Sequence, residues 1–267
     1  MTTPTADHLE IARRTGYAGV EVRAERLLEA PRELAAAQAE VRPGEVWSLN
    51  GIQLKLTSHG DLRRDVLDEE LPPRVEICRA LGAGYLLVVP PRAAGVPVSA
   101  AIRAMQDGLA IVRDTMARVR AGVAFEFLGF ADCPIDSPSR AGAVVDGLDS
   151  VDLVLDSCHW HASGGASLES FPVERLRMVH LNDAPPKPPR SIEDADRLLP
   201  TLGVIELRRL IGELAARGYA GPWSVETFNP AYWERDPTEI ARLAFQLTAP
   251  LLETRLTALK ADAGRCA

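Results

Sequence analysis

Residues 151–156 read VDLVLD, and the fold turns on which way their side chains face. Successive side chains of an extended chain alternate, so Leu153 and Leu155 share one face while Asp152, Val154 and Asp156 share the other. The leucine pair suits a covering helix. The opposite face carries a carboxylate, Asp156, at the C-terminal end of the run. Three more runs repeat this in phase. In 123–127 (VAFEF), Phe125 and Phe127 oppose Ala124 and Glu126. In 178–182 (MVHLN), Val179 and Leu181 oppose Met178, His180 and Asn182. In 223–226 (WSVE), Trp223 and Val225 oppose Ser224 and Glu226.

Further strand-like runs lie at 19–23 (GVEVR), 45–49 (EVWSL) and 85–89 (YLLVV). Amphipathic stretches separate them. In 99–120 the apolar positions Ile102, Met105, Leu109, Val112, Met116 and Val119 step by three and four, as on one face of a helix. Ser99 is expected to cap that helix, with Gly122 following it. Asp236-Pro237-Thr238-Glu239 offers an N-cap, a first-turn proline and a capping-box glutamate. Gly16, Gly82 and Gly218 each follow an apolar-periodic run, where left-handed C-caps belong.

Such alternation implies parallel strands joined by right-handed crossovers, in an open sheet or a closed barrel. No GxGxxG or GxxxxGK[ST] follows any strand, which removes the phosphate-loop argument for the open sheet. The expected fold is therefore a (β/α)8 TIM barrel, one domain over residues 1–267. Seven strands are visible. The eighth is expected around or before residues 1–5, short or missing. Residues 184–190 (APPKPPR) read as a stiff loop after the sixth visible strand.

Composition bounds the partners. The chain is 46% hydrophobic and 25% charged, with a net charge of −7, which argues against a nucleic-acid partner. No apolar run approaches the ~20 residues that span a bilayer. The start, MTTPTADHLEIARR, lacks signal-peptide character, so a cytoplasmic protein is expected. Cys78, Cys133, Cys158 and Cys266 show no paired spacing and read as reduced thiols.

A barrel of this kind keeps its chemistry at the C-terminal strand ends, where Glu126, Asp156, His180 and Glu226 fall. Three carboxylates facing one another repel, and a divalent cation resolves the conflict. The mostly oxygen donor set suits Mn²⁺, Mg²⁺ or Co²⁺, with Zn²⁺ admissible. His159, three residues after Asp156, can reach over the metal as a substrate contact or proton carrier. His161 is expected to contact substrate, or else to support the site from behind or be exposed, and Cys158 to serve packing. Asp183 could orient His180 or cap the next segment. Arg197 could clamp a substrate carboxylate or phosphate, or be an ordinary surface arginine. His59 and His8 read as solvated.

With these residues in view, the sequence resembles the xylose-isomerase-like TIM-barrel superfamily of sugar isomerases, epimerases and inosose dehydratases. The resemblance runs from RRTGYAGVEVR through RVEICRALGAGYLLVV to GYAGPWSVETFNP, and is most specific at FEFLG, LDSCHWHASGG, VHLNDAP and GPWSVETFNP. It implies that Glu126, Asp156, His180 and Glu226 bind one metal, that His159 contacts substrate, and that the two glutamates exchange the substrate proton. LNDAPP, RLLP and GPWSVETFN are also similar to bacterial 3-dehydroshikimate dehydratases, which implies a carboxylate contact near Arg197. The loop LLPTLGVI stands where many members have a Pro-Gly-x-Gly turn.

The leading expectation is a metal-dependent isomerase or epimerase of a small ketose-like sugar, passing a proton between Glu126 and Glu226 through an enediolate. Alternatives are a dehydratase (lyase) of the 3-dehydroshikimate or inosose type and a non-catalytic sugar-binding barrel. Its partner is a small carbohydrate or cyclic polyol-derived molecule. Superfamily members are often dimers or tetramers, so a homo-oligomer is compatible.

Overall fold

The computed structural model describes residues 2–263, with side chains through residue 253. Seven strands form one parallel sheet in chain order: β1 (Val20–Arg23), β2 (Val46–Gln53), β3 (Tyr85–Val89), β4 (Gly122–Glu126), β5 (Val151–Asp156), β6 (Leu176–Leu181) and β7 (Trp223–Val225). Helices follow the strands and wrap the sheet into a nearly closed TIM barrel.

The alternation read from the sequence sorts side chains into two cores. Phe125, Phe127, Leu153, Leu155, Val179 and Leu181 are fully buried between sheet and helices. Burying each such side chain contributes about 1.5–3 kcal/mol. The inward face holds a separate, smaller plug of Leu87, Ala124, Val154 and Met178. The polar inward residues sit one pleat further along each strand, on top of this plug. Register brings them side by side, with Asp156 paired to His180 and Glu126 to Val154.

Helix punctuation follows expectation at most ends. Gly16 (φ 95°), Gly82 (φ 63°) and Gly218 (φ 86°) adopt left-handed conformations. Asp236 Oδ1 accepts from Thr238 N (2.7 Å) and Glu239 N (3.2 Å), capping the helix Pro237–Ala263. The helix Val98–Met116 differs. Pro97 takes the N-cap place, its carbonyl accepting from Ala100 and Ala101 at 3.0 Å, so Ser99 lies within the first turn and caps nothing. Arg120 (φ 59°) makes the left-handed turn, and Gly122 opens β4.

No eighth strand forms among the described residues. Residues 2–4 lead straight into the helix Thr5–Thr15, and Met1 lies outside the described residues. β1 and β7 are therefore not paired. A cavity of about 320 Å³ lies beside both strands, reaching from His8 and Ile11 past Trp47 and Trp223 to Glu21 and Glu226. β7 is only half-buried along its length. His8 is half-buried in this cavity, where burial lowers its pKa, which corrects the expectation of a solvated side chain.

Cys78, Cys133 and Cys158 are buried free thiols, each pushed up to about 12 chiefly by burial; Cys266 lies outside the described residues. Among the described residues no helix is long and apolar enough to cross a membrane.

Candidate metal centre

Glu126, Asp156 and His180 converge at the C-terminal mouth, one ligand atom of each lying within 4.8 Å of the others. All three are buried. His180 stands at the centre. Its Nδ1 lies 3.2 Å from Glu126 Oε1 and 3.3 Å from Glu226 Oε2. Its Nε2 lies 3.1 Å from Glu21 Oε1. Glu226, just past the end of β7, is anchored by its backbone N–H to Leu181 O (3.2 Å), so its side chain enters the site from the strand end.

Burial and charge act against each other here. Burial pushes Glu126 up to about 7, because the nearby His180 only partly offsets the lost hydration. Glu226 is equally deprived of water, yet His180 and Arg197 hold it below the ordinary carboxylate range. His180 is raised well above its usual value: burial opposes its charge, but Glu21, Glu226 and Glu126 outweigh burial.

Asp156 is fixed from several sides. Its Oδ1 accepts from His159 N (2.8 Å) as the N-cap of the helix Ser157–Ala162. Its Oδ2 accepts from Asn182 Nδ2 (2.6 Å) and Arg197 Nη1 (2.9 Å). Asn182 also donates to Glu226 O (3.0 Å), tying β5 to the end of β7.

Arg197 is not at the surface. It is buried, with Nη1 donating to both Asp156 Oδ2 and Glu226 Oε2 at 2.9 Å. Its Nη2 lies 2.9 Å from His159 Nε2 and 2.8 Å from Asp194 Oδ1. The guanidinium also faces the Phe228 ring at 5.0 Å. His159 is buried, edge-on to Phe130 at 5.0 Å. A permanent donor at Nε2 makes that nitrogen an acceptor, and burial together with Arg197 pushes His159 down to about 3.

Asp183 takes the capping role and does not touch His180. Its carboxylate accepts from the backbone N–H groups of Ala184, Gly203 and Ile205 at 2.8–2.9 Å, closing the loop that carries Arg197. His161 is half-buried, its Nε2 without a partner among the described residues. His59 is exposed, and Cys158 is packed in the core.

Sequence reasoning missed Glu21, Ser48 and Asn50. Glu21 alternates with the buried Val20 and Val22 in the same pattern that exposed the other four residues. Asn50 fell beyond the expected end of β2 at Leu49, whereas the strand runs on to Gln53. Asn50 Nδ2 donates to Glu226 Oε1 (3.1 Å), and Ser48 Oγ lies 2.5 Å from Glu21 Oε2.

The chain is similar to proteins named inosose isomerase. One from Bacillus velezensis is 27% identical over 250 residues, 90% of this chain and 89% of that protein. One from Halalkalibacterium halodurans is 32% identical over 139 residues, 51% of this chain, a stretch that spans 49% of the relative's length. The crystal structure of the IOLI protein with a binding zinc atom superimposes with a TM-score of 0.80 at 25% identity, covering 92% of each chain. The profile of the xylose isomerase-like TIM barrels matches residues 9–249. With that match across most of its length, the chain belongs to the xylose isomerase-like TIM-barrel family.

Proposed function

We propose that this protein is a divalent-metal-dependent isomerase or epimerase of a small, uncharged keto-sugar or cyclic keto-polyol, moving a proton through an enediolate. The observation that carries the reading is the pair of glutamates flanking His180 Nδ1, at 3.2 and 3.3 Å. Two carboxyls placed around one point can take and return a proton. Glu226 accepts the substrate proton, and Glu126, on the other side of Nδ1, is the group placed to return one.

The residues fit a divalent ion. Glu126, Asp156 and His180 offer two oxygens and an imidazole nitrogen from buried, mutually close positions, and Glu226 stands next to them. These four residues would hold it. When bound there, the ion supplies Lewis-acid charge where negative charge builds during proton abstraction. Support for a metal also comes from the zinc atom of the IOLI structure, and manganese, magnesium and cobalt suit the same oxygen-rich set.

Arg197 bears on the substrate. A bidentate clamp needs a free guanidinium fork, and both Nη atoms are engaged by Asp156, Glu226 and His159, with Asp194 as a close charge and only Nε–H without a hydrogen-bond partner among the described residues. That favours an uncharged polyol over 3-dehydroshikimate or another carboxylate. The inosose isomerase relatives favour the same class. His159, kept neutral, has its Nε2 taken by Arg197, which leaves Nδ1–H as the group that could meet a hydroxyl.

The test is substrate–solvent deuterium exchange with an inosose and with small ketoses in the presence of Mn²⁺ or Zn²⁺. Glu226→Gln is expected to slow exchange by ~10²–10⁴-fold, the usual contribution of a general base. Exchange at the wild-type rate would remove Glu226 from the role. A rise in ultraviolet absorbance from a conjugated product would turn the reading toward the lyase.

A further inference from the structure

We infer that Glu21 is a positioning residue for the candidate metal centre, holding the His180 ring from behind. The inference rests on the metal reading above, and it concerns a residue outside the four expected ligands.

The contacts run in a circuit around the site. Glu21 Oε2 accepts from Ser48 Oγ at 2.5 Å and lies 3.2 Å from His180 Nε2, with Oε1 3.1 Å from the same nitrogen. Ser48 Oγ is 2.7 Å from Asn50 Oδ1. Asn50 Nδ2 donates to Glu226 Oε1 at 3.1 Å, and Glu226 Oε2 returns to His180 Nδ1 at 3.3 Å. Strand register builds this circuit, because Glu21 pairs with Ser48 and Arg23 with Asn50 across β1 and β2.

Consider what each link decides. The His180 ring is fully buried between carboxylates, Glu126 and Glu226 at Nδ1 and Glu21 at Nε2. Without metal Nδ1–H faces Glu126; with Nε2–H held by Glu21, Nδ1 is the nitrogen that would give up its proton to a metal. An imidazole so backed by a carboxylate is oriented, locked in one tautomer and made a stronger donor to a metal. Asn50 likewise engages Glu226 Oε1 and leaves Oε2 facing His180 and Arg197. Ser48 Oγ has one proton, which its shorter contact gives to Glu21 Oε2, so Asn50 Oδ1 lies close to Ser48 without relaying the hold of Glu21 to Glu226. Glu21 thus holds one of the four candidate ligands, His180, without sharing their cluster. It is nearly buried, with 9% side-chain exposure, and that exposed edge faces the cavity beside β1 and β7.

The experiment compares wild type, Glu21→Ala and Glu21→Gln as full-length protein. Zn²⁺ affinity is measured by competition with a chromophoric chelator, and the His180 ring nitrogens by ¹⁵N NMR without metal. Glu21→Ala is expected to bind Zn²⁺ ~10–100-fold more weakly, the usual cost of losing a carboxylate behind a ligating histidine. Glu21→Gln keeps an acceptor oxygen and the side-chain shape, and is expected to lie between the two. The Nε2–H signal of His180 is expected to shift in both variants. Zn²⁺ affinity within twofold of wild type in both variants would overturn the inference. If wild type binds no Zn²⁺, the metal reading fails by itself, and the NMR arm decides: unchanged ring nitrogens would overturn the role of Glu21. If Glu21→Ala does not fold, the Glu21→Gln arm carries both readouts.

Discussion

Replacing Arg197 by methionine keeps a long unbranched side chain and removes the cation that Asp156 and Glu226 share. Without a metal, both carboxylates then stay buried with a partner lost on each, at contacts that measured 2.9 Å. Removing one member of a buried ion pair costs about 3–5 kcal/mol, because the charge left behind remains out of water. His159 Nε2 also loses its donor, ordinarily worth another ~1–3 kcal/mol. The contacts share one group, so their costs do not add, and about 4 kcal/mol is the working figure. In a chain of this size that lowers Tm by roughly 8–16 °C. A divalent ion at the carboxylates replaces the missing charge. At a hundredfold excess over Kd it returns ~2.7 kcal/mol to whatever binds it. The variant, freed of a competing cation beside the ligands, should therefore gain more from metal than wild type does. Thermal melts at one scan rate, in chelator and in excess Zn²⁺ or Mn²⁺, measure this. A loss under ~1 kcal/mol in chelator, or a metal-induced rise in Tm no larger in Arg197→Met than in wild type, would refute the reasoning.

Two other outcomes follow from the same geometry. Ligation needs Glu126 ionised and His180 neutral, yet the fold raises both pKa values, Glu126 to about 7, so metal binding must release protons. Affinity is expected to fall as pH drops from 8 to 6, by up to ~10-fold per unit for each proton displaced, with calorimetry in buffers of differing ionisation enthalpy counting the protons; a flat pH profile would contradict it. Gly129 passes so close to the helix Ser157–Ala162 that a Cβ would stand 2.2 Å from His159 O. Gly129→Ala is therefore expected to push His159 off its place, lowering kcat/KM by roughly 10²-fold through misalignment and stability by ~1–3 kcal/mol through overpacking.

How much of this was legible in the sequence depended on how far apart the interacting residues lie. Strand phase is local. VAFEF, VDLVLD, MVHL and WSVE each show an inward polar residue against outward bulk, and the parallel register, with Asp156 opposite His180, then brings them together. Glu21 obeys the same rule in GVEVR, but two flanking valines and a following arginine make an ordinary half-polar strand, and only the fold shows it beneath His180. Asn50 was hidden by a boundary: the strand continues through Asn50-Gly51, where composition reads as a turn. Arg197 reads as a substrate clamp or a surface arginine, but its buried place against Asp156, Glu226 and His159 was not readable. Its path is set by a loop whose shape comes from Asp183 gathering the N–H groups of Ala184, Gly203 and Ile205, an arrangement without a periodic signature.

The inventory of buried charge argues further about what the site accepts. Glu21, Glu126, Asp156 and Glu226 supply four carboxylates around one imidazole, and Arg197 brings one positive charge that Asp156 and Glu226 share. Were His180 to ligate as the neutral imidazole, a dication together with Arg197 would leave one negative charge among these groups, with Arg23 acting on Glu226 beside them. A carboxylate or phosphate substrate would add to that surplus in a poorly hydrated pocket, where like charges are costly. An uncharged ketone would not. Its negative charge appears only as the C–H ionises, and the proton taken by Glu226 removes an equal charge from the surrounding carboxylates. The total is conserved through the step, so the buried site need not absorb a new charge at the point of highest energy. Carboxylate excess thus favours the neutral substrate proposed for this site, and the contacts of Arg197 with the protein's own carboxylates act in the same direction.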